Sequence, residues 1–350
     1  MTKLEKYKRN FQKVDGETSP IEYYLVLPIA GQSNGMAYGE GLPLPDTLDK
    51  PDPAIMQLAR RGSVTPGGKK CRYNEPILAD HCLHDVQDMS VFNHPLADLD
   101  KGQYGCVSQG LHIAKSLRAH LPRHIGILLV PCCRGGSAFT QGEYGSFSPD
   151  SGACNKASRW GINTPLYMDL ISRTKAALDL NSRNILVGVC WMQGEFDLSS
   201  LQYEKQPALF NEMVAAFRHD ISSHHLQCIN FNEKYLPWFC GDTTYYWRET
   251  YPRAYHTVYG NYQKRAHENI FFVNFSDTEI TTNEPIEDPD IPETGYLGSS
   301  HRTRENWTTD LRSSHFSTHA RRGIIANRFS DAILSAIQDK DVRLTHAINS

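Results

Sequence analysis

Tyr23-Tyr24-Leu25-Val26-Leu27-Pro28-Ile29-Ala30-Gly31-Gln32-Ser33-Asn34-Gly35 is the stretch on which the reading of the chain turns. Its first eight residues are a short apolar run closed by a glycine, the pattern of a buried strand. A serine set between glycines directly after such a strand is lifted clear of the backbone at the strand's C-terminal end. That edge is where open parallel sheets bind their ligands. Ser33 is therefore the candidate nucleophile, and it needs a base and an oxyanion site from other segments.

The flanking chain supplies more strands of the same kind. Ile125–Pro131, Ile185–Met192, Leu236–Cys240 and Ile270–Phe275 are further apolar runs. Helical periodicity falls between them, over Cys106–Leu121, Pro165–Leu180, about Gln206–His219 and Ala254–Glu268. A last helix starts near Ser317-Thr318, both good N-caps. Strands alternating with helices give an α/β fold with one central parallel sheet of about five strands, covered on both faces. Residues 39–102 read as an irregular insertion that walls the pocket, and 278–311 as a second loop insertion. The expected organisation is a charged N-terminal extension over 1–20 and a single domain over 21–340.

Three of the strands end in polar, glycine-bearing turns: Ser33, Arg134-Gly135-Gly136-Ser137 and Gln193-Gly194-Glu195. Parallel topology puts all three on one sheet edge. The Ser33 N–H, a backbone N–H at Gly135 or Gly136, and the Gln193 amide are the expected oxyanion donors. Loss of one such donor typically costs about 3 kcal/mol of transition-state stabilisation. The base is expected near the far end of the chain, where the sheet closes. His315 lies in the turn before the last helix and can reach that edge, whereas His319 falls one turn into the helix.

Taken alone, Gly31-Gln32-Ser33-Asn34-Gly35 also fits the nucleophile elbow of α/β-hydrolases. That fold places several strands before its elbow, and only a charged, strandless tail precedes this one. The ordered set Gly31-Gln32-Ser33-Asn34, Gly135-Gly136-Ser137, Trp191-Met192-Gln193-Gly194-Glu195 and His315-Phe316 instead resembles the carbohydrate O-acetylesterases of the SGNH hydrolase superfamily. Ala30 to Pro45, Val130 to Thr140 and Arg312 to Gly323 resemble the bacterial sialate 9-O-acetylesterases in particular. The resemblance implies a three-layer, flavodoxin-like α/β/α fold and removal of the acetyl group from 9-O-acetylated N-acetylneuraminic acid, with no metal or cofactor. It also gives supporting roles to Gln32, Asn34, Gly136 and Glu195.

One position departs from the superfamily, which carries Asp three residues before its histidine. Here that residue is Arg312, which cannot accept the imidazole Nδ1–H. The expectation is a Ser33–His315 dyad oriented by a main-chain carbonyl, Ser313 being close enough, with Asp310 and Glu195 as the alternatives. The alternative functions are an acetylesterase for another sugar, such as acetylated xylan, and a non-catalytic sialic-acid-binding protein.

Composition removes other classes. The 350 residues are 40% hydrophobic with a net charge of −3. Interspersed charges of both signs give no pull toward nucleic acid or anionic membrane. The apolar runs are strand-sized, too short to span a bilayer. No signal-peptide pattern is present and the nine cysteines are scattered. A cytoplasmic location is therefore expected, with the periplasm as the alternative. Cys71 and His81-Cys82-Leu83-His84 lack zinc-ligand spacing, and the acidic run from Glu284 to Glu293 lacks that of a calcium loop. Trp160, Tyr245, Tyr246 and Trp247 line a sugar pocket or belong to the core. A sialate carboxylate calls for an arginine fork, and Arg134 and Arg312 flank the catalytic turns.

Overall fold

The computed structural model describes residues 20–36, 48–60, 71–80, 107–275, 314–316 and 318–340. The Ser33 strand, β1 (Tyr23–Gly31), is the centre of a mostly parallel sheet. The other strands of that sheet are β2 (Ile55–Leu58), β3 (Pro76–Leu78), β4 (Ile125–Cys133), β7 (Ile185–Leu186), β8 (Val189–Met192), β9 (Trp238–Gly241) and β10 (Ile270–Val273). A separate two-stranded hairpin is formed by β5 (Phe147–Ser148) and β6 (Gly152–Ala153).

Spatial order is β10-β9-β8-β1-β4-β2-β3, with β7 also paired to β1. β1 is buried along nearly its whole length, as a near-continuous apolar run requires when both faces are covered. Pro28 sits in this central strand although it lacks a donor. β1 pairs with β7 through Leu25 and Val26 and with β8 from Ile29 onward. The missing N–H therefore falls where the neighbouring strand is interrupted.

The expectation of one strand over Ile185–Met192 is corrected to these two pieces. At Gly188 the backbone takes φ +151° and Val189 N–H turns to the Pro237 carbonyl at 3.0 Å. The region 39–102 also departs from its reading as irregular wall. Its described part contributes β2, parallel to β4, and the antiparallel β3, which extend the sheet to eight strands.

Helices α1 (Gly110–Arg118), α2 (Pro165–Asp179), α3 (Glu195–Leu198), α4 (Gln206–Asp220), α5 (Tyr245–Thr250), α6 (Pro252–Gln263), α7 (Thr318–Arg322) and α8 (Ile324–Lys340) complete the three-layer α/β/α arrangement. α2 begins where the Thr164 hydroxyl accepts the Tyr167 N–H and Pro165 occupies the first turn. α8 packs on α1 and on the β9–β10 side of the sheet, while α2 packs on β1 and β4. Trp160 is 1% exposed and lies against Trp191, which also meets Phe210 and Trp238. It is core. Among the described residues there is no disulfide and no helix long and apolar enough to cross a membrane.

β1 is followed in the chain by strands on one side, β2 to β4, and later by β8 on the other. The C-terminal end of β1 is thus the topological switch point, the crevice where such sheets bind ligands. Ser33 stands there.

Candidate active site

The serine turn is shaped by Gly31. Its φ is +131°, and a Cβ there would lie 2.1 Å from the Met192 carbonyl oxygen, so only glycine fits. Gln32 N–H bonds that same carbonyl at 2.8 Å, and Ser33–Gly35 form a single 3-10 turn. Ser33 is half-buried, and its N–H has no acceptor among the described residues. The Gln32 side-chain oxygen accepts the N–H groups of Gly194 and Phe196, at 3.3 and 3.2 Å. That bond joins the first strand's turn to the third.

The second turn closes on the first. Arg134 N–H donates to the Gly31 carbonyl at 3.1 Å. The Ser137 hydroxyl donates to the Arg134 carbonyl at 2.7 Å and lies 3.2 Å from the Gly31 carbonyl, and Trp160 Nε1 donates to Ser137 Oγ at 2.9 Å. Gly135 is buried and Gly136 exposed. Arg134, expected to meet a carboxylate, is buried with its guanidinium on the carbonyls of Gly135 and Asn155. Arg312, Ser313 and Asp310 lie outside the described residues.

The third turn holds Gln193 differently from the sequence expectation. Its Nε2 donates to Asp197 Oδ2 at 2.5 Å and to the Ser137 carbonyl at 3.4 Å, while its Oε1 accepts from Gln206. Both amide hydrogens are therefore directed at protein acceptors. Asp197 was missed in the sequence. It also collects the N–H groups of Phe139 and Thr140 and the Thr140 hydroxyl, fixing the chain just beyond Gly135-Gly136. The signal available was an acid in the first turn of a helix, where N–H groups lack intrahelical partners.

His315 reaches this edge through Asn34. The Asn34 amide donates to the Ser314 carbonyl at 3.1 Å, and its oxygen accepts the Phe316 N–H at 3.1 Å. The residue next to the serine thus grips both neighbours of the histidine. Trp247 Nε1 also donates to the Ser314 carbonyl at 3.0 Å, which places α5 at the site. Ser314 Oγ lies 3.3 Å from His315 Nδ1. Arg321 reinforces the junction from below. Fully buried, it donates to the carbonyls of Asn34, Met36 and Phe316 and to the Gln109 side chain.

Glu195 joins the junction rather than the imidazole. Its Oε1 accepts from Asn34 at 2.9 Å and from the Thr243 hydroxyl at 3.0 Å. Gly194 before it has φ +152°, and a Cβ there would come within 2.8 Å of the Tyr259 ring, so this turn also requires glycine. Burial raises the Glu195 carboxyl above the usual range, against the opposing pull of Asn34, its own N–H and Thr243. Asp242, at the end of β9, is pushed up to about 6 by burial, the Thr243 N–H and Tyr255 hydroxyl opposing.

The family model of the carbohydrate esterases described as sialic acid-specific acetylesterases matches residues 26–235. A protein of Escherichia coli (strain K12), named probable 9-O-acetyl-N-acetylneuraminic acid deacetylase, is 56% identical over 315 residues, covering 89% of this chain and 96% of that protein. The crystal structure of NanS superposes with a TM-score of 0.82 at 55% identity, covering 92% of this chain and 99% of the other. A protein from Arabidopsis thaliana, AT4G34215, shares the fold at 17% identity and a TM-score of 0.54, over 89% and 98% of the two chains. Glycine-shaped serine turn, ordered motifs and sequence identity agree, and the chain belongs to the sialic acid-specific acetylesterase family of carbohydrate esterases.

Proposed function

We propose that this protein hydrolyses the acetyl ester of 9-O-acetylated N-acetylneuraminic acid to sialic acid and acetate, through an acetyl group carried on Ser33. The observation that carries the reading is the grip of Asn34 on both neighbours of His315. It makes the serine turn and the histidine turn one hydrogen-bonded unit, although they stand at opposite ends of the chain.

In the first step His315 takes the Ser33 proton as Oγ attacks the acetyl carbonyl. The Ser33 N–H and the Gly135 N–H receive the developing oxyanion. The Gln193 amide, given to Asp197 and the Ser137 carbonyl, braces the turn that carries Gly135. Collapse of the tetrahedral intermediate expels the sugar hydroxyl, which takes its proton from His315. Water then attacks acetyl-Ser33 with the same base, and acetate leaves. The imidazole is assigned the Ser313 carbonyl as its orienting group, a residue outside the described ones, and Ser314 Oγ lies 3.3 Å from its Nδ1. A positioned base contributes about 10²–10⁴-fold and each oxyanion donor about 10²–10³-fold.

The test is acetate release from 9-O-acetyl-N-acetylneuraminic acid by the wild type, Ser33→Ala and His315→Ala. The wild type is expected to turn over and both variants to lose at least about 10³-fold in kcat. A Ser33→Ala protein with undiminished turnover contradicts the mechanism. A wild type active on acetylated xylan but not on the sialate contradicts the substrate.

A further inference from the structure

We propose that Arg159, stacked on Tyr144, is the carboxylate anchor of the substrate site; this rests on the sialate reading above. A sialic acid acetylated at its glycerol tail carries its carboxylate at the other end of the molecule. The planar fork of arginine matches two carboxylate oxygens, and a neighbouring aromatic face supports the cation without neutralising it.

Most described arginines around this sheet edge are already committed. Arg60 pairs with the buried Asp169, and Arg173 donates to the carbonyls of Leu58 and Ala59 and to Asn74. Arg134 and Arg321 hold main-chain carbonyls, as described above. Arg322 forks onto Asp49. Arg248 faces Asp242 and Tyr255.

Arg159 is different. It is half-buried, and among the described residues the contact its guanidinium makes is with the Tyr144 ring, 5.6 Å from the centroid. No carboxylate of the described residues lies within ion-pair distance of it. Glu143, the nearest acid in sequence to Tyr144, is tied through its backbone to Ser158 and makes no ion pair with Arg159.

Its place in the fold connects it to the reacting edge. Arg159 bridges Ala138, with Ala138 N–H on the Ser158 carbonyl at 3.1 Å and Trp160 N–H on the Ala138 carbonyl at 2.9 Å. The next side chain, Trp160, points inward and donates to Ser137 Oγ and to the Gly31 carbonyl. Side chains alternate along extended backbone, so Arg159 points the other way, out of the core. The same rim continues through Gln141, whose amide donates to the Phe196 carbonyl at 2.6 Å, and Phe196 N–H returns to Gln32 beside the serine. An acid held at Arg159 is thereby presented along the rim that ends at Ser33.

The experiment compares wild type, Arg159→Gln and Arg159→Lys on 9-O-acetyl-N-acetylneuraminic acid, on its carboxyl methyl ester and on an aryl acetate, following acetate release. Arg159→Gln is expected to raise KM for the acid by about 10- to 100-fold, the scale of a charge-assisted hydrogen bond, with kcat nearly unchanged. It should handle the methyl ester and the aryl acetate as the wild type does, which also shows that it has folded. Arg159→Lys, keeping charge but not the fork, should fall between. Tyr144→Ala, an exposed position, should raise KM for the acid by a few-fold. Unchanged KM for the acid in Arg159→Gln overturns the proposal, and so does an equal loss on acid and methyl ester. A wild type that cleaves the aryl acetate but neither sialate overturns the substrate reading, and this proposal with it.

Discussion

The serine–histidine junction and the rim formed by residues 138–163 and 195–203 sit on the same sheet edge and are built in opposite ways. At the junction, Asn34 and Arg321 are buried, and several of their bonds reach segments more than 200 residues away. At the rim, Tyr144 is 61% exposed and Leu201 fully so. Arg159 there rests on an aromatic face, with no acid paired to it among the described residues. Buried, fully bonded polar groups hold one arrangement, because any other leaves a desolvated donor or acceptor unmatched. Exposed side chains with few bonds can adjust to a ligand. On the proposed mechanism, the junction fixes reaction geometry and the rim is left to recognition.

The largest effect is expected at Asn34. Asn34→Ala leaves the Phe316 N–H without its acceptor, takes one of two donors from Glu195 Oε1, where Thr243 remains, and releases both neighbours of His315. Each orphaned buried group costs about 1–3 kcal/mol. Stability should fall by about 2–4 kcal/mol in urea unfolding, and kcat by about 10²-fold or more, since a misplacement of about 1 Å is enough for that. A loss of stability with kcat preserved would separate the junction from the chemistry.

Asp242 gives the next effect, through pH. Its folded carboxyl titrates at about 6, against about 3.9 for an ordinary aspartate. The folded protein therefore holds this proton more tightly than the unfolded chain. The resulting stability is fully present below about pH 4 and is lost as pH rises through about 6. Asp242→Asn keeps the oxygen that accepts from Thr243 and Tyr255. Relative to wild type it should gain up to about 3 kcal/mol between pH 4 and 7, read as the difference in urea midpoints. An identical pH profile in the two proteins would remove Asp242 from the account.

Ser314→Ala should have the smallest effect. At 3.3 Å its hydroxyl is a long partner for His315 Nδ1, and loss of a weak neutral bond corresponds to a fall in kcat of less than about tenfold. A loss as deep as that of His315→Ala would make Ser314, not the Ser313 carbonyl, the group that orients the base.

Much of the frame was legible in the sequence because its signals are local. Long apolar runs leading into glycine-bearing turns gave β1 and β4, and helical periodicity gave α2 and α4 within a residue of their ends. β2 and β3 were hidden because Ile55-Met56-Gln57-Leu58 and Pro76-Ile77-Leu78 are too short to stand out within a Pro- and Gly-rich stretch. Gln193 was found but not its direction, which is set by Asp197 four residues later, one helical turn away. Arg321 could not be read at all. A basic residue in a terminal helix looks like solvated surface, and only the folded chain brings it under the turn of residues 33–36. Glu195 was legible as a supporting group, yet its partner Thr243 belongs to a segment that no motif marks.

The most direct test of the central claim is peptide mass spectrometry of the protein inactivated with a fluorophosphonate, a reagent that labels activated serine hydroxyls. The account predicts one adduct, on Ser33, with labelling abolished in His315→Ala. Complete inactivation with the adduct on another residue, or Ser33 labelled just as fast without the histidine, would contradict it.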